Sequence, residues 1–262
     1  MKNYKENYGP WALVTGASSG IGEAFARRLA SEGMNVALSA RREELLRKLA
    51  DELKETYGVE CRVVPGDLTD EKDVAALAEA TSDLDLGMLV NNAGFGQGVP
   101  FTDLNEETGA KMIRLNCEAP YRLTRRIVPG MIERGRGAVV VVGSVVGCQA
   151  TPYYNVYSAT KGFANLFAES LWAELKPRGI DVLDVAPGGT KTEFQERAGV
   201  STASFYREPA DVVNTALKAL GKKPRVVDGF TNKATVFFGR KIPYTWIVRM
   251  AGRVVRKMEG LG

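Results

Sequence analysis

The sequence predicts an α/β protein: a doubly wound parallel sheet in three α/β/α layers, forming a single domain over 1–262. Three observations predict it. Short apolar runs alternate with helical patterns along the chain, as in βαβ units with right-handed crossovers. The runs are almost continuous in valine, leucine and alanine, as strands buried on both faces are. A glycine-rich loop stands between the first run and the first helical pattern, the place where such sheets bend most tightly.

The elements follow in order. WALVTG (11–16) is the first strand; it runs into TGASSGIG and a helix over 20–32. NVALSA (35–40) is the second strand, followed by a helix over 42–56. RVVPG (62–66) is the third, with a helix over 71–80. LGMLVNNAG (86–94) and AVVVVGS (138–144) flank a long helical pattern over 105–131. A helix over 155–176 leads to IDVLDVAPG (180–188), and PRVVDG (224–229) reads as a short seventh strand. Residues 193–207, EFQERAGVSTASFYR, lack a regular pattern. In the tail over 241–260, Ile247, Met250, Ala251, Val254, Val255 and Met258 share one helical face, and Arg249, Arg253, Arg256 and Lys257 the other. Docking of that apolar stripe on the protein's own core or on a partner subunit is preferred to contact with a membrane surface.

Composition narrows the chemistry. Hydrophobic residues make up 45% and charged residues 25%, ordinary for a globular protein. The net charge of +4, with no basic motif interleaved with aromatics, does not indicate nucleic acid. No apolar run reaches the roughly 18 residues of a spanning helix. The start, MKNYKENYGP, has no signal-like apolar segment, so cytoplasmic residence is expected. Cys61, Cys117 and Cys148 show no metal-like spacing and read as free buried thiols. There is no histidine at all. Serine–histidine triads and histidine-bound metals are thereby excluded, no metal is expected, and proton chemistry must use tyrosine, lysine, cysteine or a carboxylate.

Two stretches carry candidate chemistry. In the loop of Gly16, Ser18, Ser19, Gly20, Ile21 and Gly22, glycines let the backbone approach a pyrophosphate at a helix N-terminus. After the second strand the chain reads SARRE, without the acid that usually holds the ribose of NAD. Arg41 suits the 2′-phosphate of NADP, and Arg42 reads mainly as a helix-opening charge. NADP(H) is therefore expected over NAD(H). The second stretch is YNVYSATKGF, where Tyr157 alone among the nearby tyrosines has a lysine, Lys161, at i+4. That spacing places both on one helical face. An adjacent ammonium favours the phenolate, and moving a phenol from about 10 toward 7 takes about 4 kcal/mol. Ser144 ends a buried strand, where its hydroxyl can donate to a substrate oxygen.

TGASSGIG, NNAG (91–94), Ser144 in VVGSVVG, YSATK (157–161) and PGGTKT (187–192), in that order and spacing, resemble the short-chain dehydrogenase/reductase family in its compact single-domain branch. The resemblance covers roughly 10–215 and implies a Rossmann fold, a homodimer or homotetramer, and transfer of hydride between NADP(H) and a ketone or secondary alcohol. It implies that Asn116, Ser144, Tyr157 and Lys161 are catalytic, with Tyr157 as acid/base, Lys161 lowering its pKa and gripping the nicotinamide ribose, Ser144 on the substrate oxygen and Asn116 in a proton relay. It further implies that Asp67, with Leu68 beside it, lies against adenine. Asn91, Asn92, Ala93 and Gly94 would border the cofactor, and Pro187, Gly188, Thr190 and Thr192 would contact its nicotinamide end. Residues 190–207 correspond to a substrate lid made apolar by Phe194, Phe205 and Tyr206. Cys148, Tyr153 and Tyr154 either line the pocket or pack. Similar tails in relatives acting on long-chain or steroid ketones point toward a lipophilic substrate. The alternative is a nucleotide sensor that keeps the fold and turns nothing over.

Overall fold

A computed structural model describes residues 3–193, 207–239 and 241–258. Seven parallel strands form one sheet in the order β3-β2-β1-β4-β5-β6-β7. They are β1 (Trp11–Thr15), β2 (Asn35–Ser39), β3 (Cys61–Val63), β4 (Leu86–Asn91), β5 (Gly137–Val142), β6 (Ile180–Ala186) and β7 (Arg225–Val227). Each coincides with an apolar run read from the sequence. The chain winds outward from β1 to β3 and then returns to β4 on the other side of β1. That reversal opens a crevice at the carboxyl ends of β1 and β4, where ligands of open α/β sheets bind.

Strand alternation separates two cores. Ala12, Val14, Val140 and Val142 face one side, packed with Phe25 and Leu29 of α2 (Gly20–Ser31), Leu46 of α3 (Glu43–Tyr57) and Val212 of the helix Pro209–Ala219. Leu13, Val139 and Val141 face the other, packed with Leu77 of α4 (Glu71–Glu79), Leu123 of α6 (Ala119–Glu133) and Ala164 of α7 (Asn155–Leu175). A short N-terminal helix, α1 (Tyr4–Tyr8), covers the amino-terminal edge, where Tyr8 Oη donates to Asp181 at 2.7 Å.

Three elements depart from the sequence reading. The continuous pattern over 105–131 is α5 (Glu106–Ile113) and α6 joined by a π turn at Arg114–Glu118, because Asn116 turns its side chain inward to bond other segments. Pro209–Ala219, here α8, has proline at its first turn and buries Val212, Val213, Ala216 and Leu217 at helical spacing. Beyond β7 the chain forms α9 (Phe230–Gly239), which the sequence reading lacks, and α10 (Tyr244–Met258), which lies within the helical tail expected over 241–260. The single apolar stripe expected on the tail divides in two. Ile247 is buried, while Met250 and Val254 stand in solvent. The three thiols are free, but half-buried rather than buried.

Candidate active site

The glycine loop joins β1 to α2 at the mouth of the crevice. Gly16 has φ +66, a left-handed conformation that favours glycine. A Cβ on Gly22 would strike the carbonyl of Gly16, so the loop folds tightly only with glycine there. Ser19 occupies the N-cap of α2 without a capping side-chain bond, leaving the first-turn amides directed at the crevice. A bare backbone cradle at the start of a 12-residue helix fits a pyrophosphate. Ser18 and Ser19 accept hydrogen bonds from Arg42 at 3.2 and 3.1 Å, and Arg42 also pairs with Glu193 at 2.9 Å. Arg41 is exposed and makes no hydrogen bond or ion pair among the described residues. Arg42 is thus not the merely solvated charge that the sequence suggested.

The floor of the crevice hangs on Thr15, a residue the sequence reading passed over. Its Oγ1 accepts from the backbone N–H of Asn92 and of Ala93, each at 3.0 Å, and Asn92 Nδ2 donates back to the Thr15 carbonyl at 2.9 Å. Asn91 donates to Thr124 at 3.0 Å behind the sheet. Asp67 holds its own turn by accepting from the Thr69 amide at 3.0 Å, with Leu68 buried beside it. From the opposite wall, Thr192 comes down over the glycine loop; a Cβ on Gly20 would lie 2.8 Å from its methyl. Thr190 Oγ1 donates to the Gly188 carbonyl at 3.1 Å, and Ser144 Oγ to that of Pro187 at 3.4 Å.

The proposed catalytic residues converge at the carboxyl end of β5. Tyr157 and Lys161 lie on the same face of α7, and both are buried. Lys161 Nζ donates to the Val142 carbonyl at 2.7 Å and stands 6.0 Å from the Tyr157 ring centre. The Tyr157 ring lies flat under the loop after β4, where a Cβ on Gly96 would approach it to 2.6 Å. Gly94 is the meeting point of the group, bordered by Asn116 Oδ1 and Lys161 Nζ. Asn116 is satisfied within the protein: its amide donates to Phe95 O and Thr160 Oγ1, each at 2.9 Å, and its oxygen accepts from Phe95 N at 3.1 Å. Thr160 in turn donates to the Tyr157 carbonyl at 2.8 Å, which ties the π turn to the first turns of α7.

Electrostatics depart from expectation at Tyr157. Burial pushes its phenol above the ordinary value, and a hydrogen bond with Ser144 opposes this without cancelling it. Lys161 is not among the groups that move the phenol; burial lowers its own pKa to about 8, against the pull of Asp184 and Cys117. Asp184, an acid inside the apolar strand β6, is the signal the sequence reading missed. It is fully buried, pushed up to about 6 by burial, and ion-paired with Arg225. Asn165 was also missed. It accepts from the Ser144 amide at 3.4 Å and donates to the Ser144 carbonyl at 3.2 Å, fixing the strand end.

On the substrate side, Tyr154 packs against the Tyr157 ring at 6.1 Å. Tyr153 adopts φ 69, its carbonyl accepts from Val99 N at 3.0 Å, and its hydroxyl accepts from Arg256 of α10 at 3.1 Å. Cys148 lines a separate cavity of about 500 Å³ with Thr151, Pro152, Tyr244 and Val248, into which none of Ser144, Tyr157 and Lys161 opens. The expected lid is described only at its base, where Gly189 and Lys191 pair with Arg207 through backbone hydrogen bonds. Phe194, Phe205 and Tyr206 lie outside the described residues. No group of potential metal ligands occurs among the described residues.

Comparison with known proteins agrees with this geometry. Residues 10–201 match the short chain dehydrogenase family. A very-long-chain 3-oxoacyl-CoA reductase of Anas platyrhynchos is 38% identical over 81% of this chain and 69% of its own length. An inactive hydroxysteroid dehydrogenase-like protein 1 of Homo sapiens is 31% identical over 96% of this chain and 79% of its own. A short-chain dehydrogenase from Sphingobium yanoikuyae, solved in complex with NADPH, superposes with a TM-score of 0.80 at 34% identity, covering 88% of this chain and 93% of that one.

Proposed function

The chain belongs to the short chain dehydrogenase family, and from that premise we propose that it is an NADP-dependent reductase of lipophilic ketones, such as 3-oxoacyl thioesters or steroid-like compounds. The observation that carries the proposal is the convergence of Ser144, Tyr157 and Lys161 at the carboxyl end of β5. Gly16, Ser18, Ser19, Gly20, Ile21 and Gly22 would hold the pyrophosphate, Asp67 and Leu68 the adenine, and Pro187, Gly188, Thr190 and Thr192 the nicotinamide end. Arg41, exposed beside the loop, would pair with the 2′-phosphate, assisted by Arg42. When bound, NADPH supplies a hydride.

The residues of the chain supply the proton. Tyr157 is protonated at neutral pH and so holds the proton that a carbonyl oxygen would take; because burial makes it a weaker acid than a free phenol, its position beside Ser144, not its acidity, supports the role. Ser144 Oγ holds that oxygen as negative charge develops on it. Lys161 sits behind Tyr157 with a pKa of about 8, close enough to neutrality to give or take a proton. The working form is a homodimer or homotetramer in a reducing, cytoplasmic setting.

The test is NADPH oxidation across simple ketones, steroids and 3-oxoacyl thioesters. Turnover of a lipophilic ketone is expected, together with weaker use of NADH. A second reading, a nucleotide-binding protein without turnover, draws support from the human relative whose name marks it inactive. NADPH binding with no turnover across that panel would establish it instead.

A further inference from the structure

Residues 230–258 carry seven of the chain's 35 lysines and arginines and none of its 31 aspartates and glutamates. The other 28 basic residues are outnumbered by the acids, so the positive balance of the protein resides in this one stretch. It forms α9 and α10. None of its described cations, Lys233, Lys241, Arg249, Arg253, Arg256 and Lys257, forms an ion pair among the described residues; only Arg256 turns inward, to Tyr153.

The same stretch exposes large apolar side chains in an ordered way. Phe230, Phe237 and Phe238 share one face of α9 and are 85%, 61% and 63% exposed. Trp246, Met250 and Val254 recur every fourth residue along α10 and are 65%, 48% and 57% exposed. This stripe is not the one that docks α10. The inward side is spoken for by Ile247, which is buried, and by Gly252, against which Pro152 packs. The outward apolar stripe is flanked by Arg249, Arg253 and Lys257.

Charge decides what covers it. A second copy meeting this face about a twofold axis would set Arg249, Arg253 and Lys257 against their own copies, with no acid within 230–258 to compensate. An anionic lipid surface is complementary on both counts: aromatic side chains settle at headgroup level, and each cation near the surface adds about 1 kcal/mol. No helix among the described residues is long and apolar enough to cross a bilayer. We propose that α9 and α10 form a peripheral docking surface for an anionic bilayer, with the aromatic stripes lying in the plane of the interface. This is independent of the reductase reading, since it uses none of the residues assigned to the reaction.

Flotation of the full chain with two kinds of vesicle tests it: phosphatidylcholine alone, and phosphatidylcholine with about one-third phosphatidylglycerol, where the surface potential attracts basic segments. Binding is expected only to the anionic vesicles and is expected to be lost at about 0.5 M salt. Emission from Trp246 should shift to the blue on binding. Arg249→Gln combined with Arg253→Gln should lower partitioning about 25-fold, that is, about fivefold per charge, while NADPH binding reports that the variant is folded. Equal binding to both kinds of vesicle, or no flotation of the folded protein, overturns the proposal. Dissolution of a homo-oligomer by Trp246→Ser would assign the face to a second copy and overturn it too.

Discussion

Tyr157 is placed where two demands conflict. A solvated phenol beside an ammonium loses its proton more easily; a buried one keeps it. Here burial prevails: the Ser144 hydrogen bond opposes it without cancelling it, and Lys161 directs its Nζ to the Val142 carbonyl. Ultraviolet titration of the cofactor-free protein should therefore show the same number of phenols ionising near pH 10 before and after Tyr157→Phe, because Tyr157 does not ionise there. The same Tyr157→Phe variant should bind NADPH normally and lose about 10²- to 10⁴-fold in turnover, measured by NADPH oxidation. Arg41→Asp should erase the preference for NADP over NAD in titrations of the two cofactors. That Tyr157, Lys161 and Ser144 would meet at one place was legible because a short motif carries each. Thr15 and Asn165 were not, because the hydrogen bonds that give them their roles reach 77 and 21 residues along the chain.

At the scale of elements, strands were easier to read than the joints between them. Continuous valine runs announce a strand buried on both faces, and β5 and β6 begin and end close to where their apolar residues do. The π turn at Arg114–Glu118 left no such trace, since its cause is the bonding of Asn116 to Phe95 and Thr160 across the site. Asn116→Ala should cost about 2–4 kcal/mol in urea denaturation, for the loss of one buried and two part-buried hydrogen bonds and the donor and acceptors they leave behind. The helix α8 was legible in retrospect from Pro209 and the spacing of Val212, Val213, Ala216 and Leu217. The tail shows the limit of periodicity. An apolar face can be recognised from spacing, but which of two apolar stripes meets the core depends on neighbours such as Pro152.

For the molecule as a whole, the buried charges near the site should be visible in its stability. Lys161 binds a proton less readily in the fold than in the unfolded chain, where the ordinary lysine value applies. Between pH 8 and 10 the unfolded state thus holds the extra proton, and the contribution of Lys161 to stability rises with pH, by at most about 1.4 kcal/mol per pH unit. Lys161→Met should remove that rise, measured as the difference between denaturation curves of wild type and variant across the same window. Asp184 has the opposite sign. Its raised pKa favours the fold below the ordinary carboxylate range and loses that advantage as pH climbs through about 6. The bond between Arg256 and Tyr153 has a practical consequence at this scale. It fastens the last helix to a left-handed residue only four positions ahead of Tyr157. Cutting the chain back into α10 would remove that clasp and loosen the backbone that leads into α7, about a hundred residues from the cut.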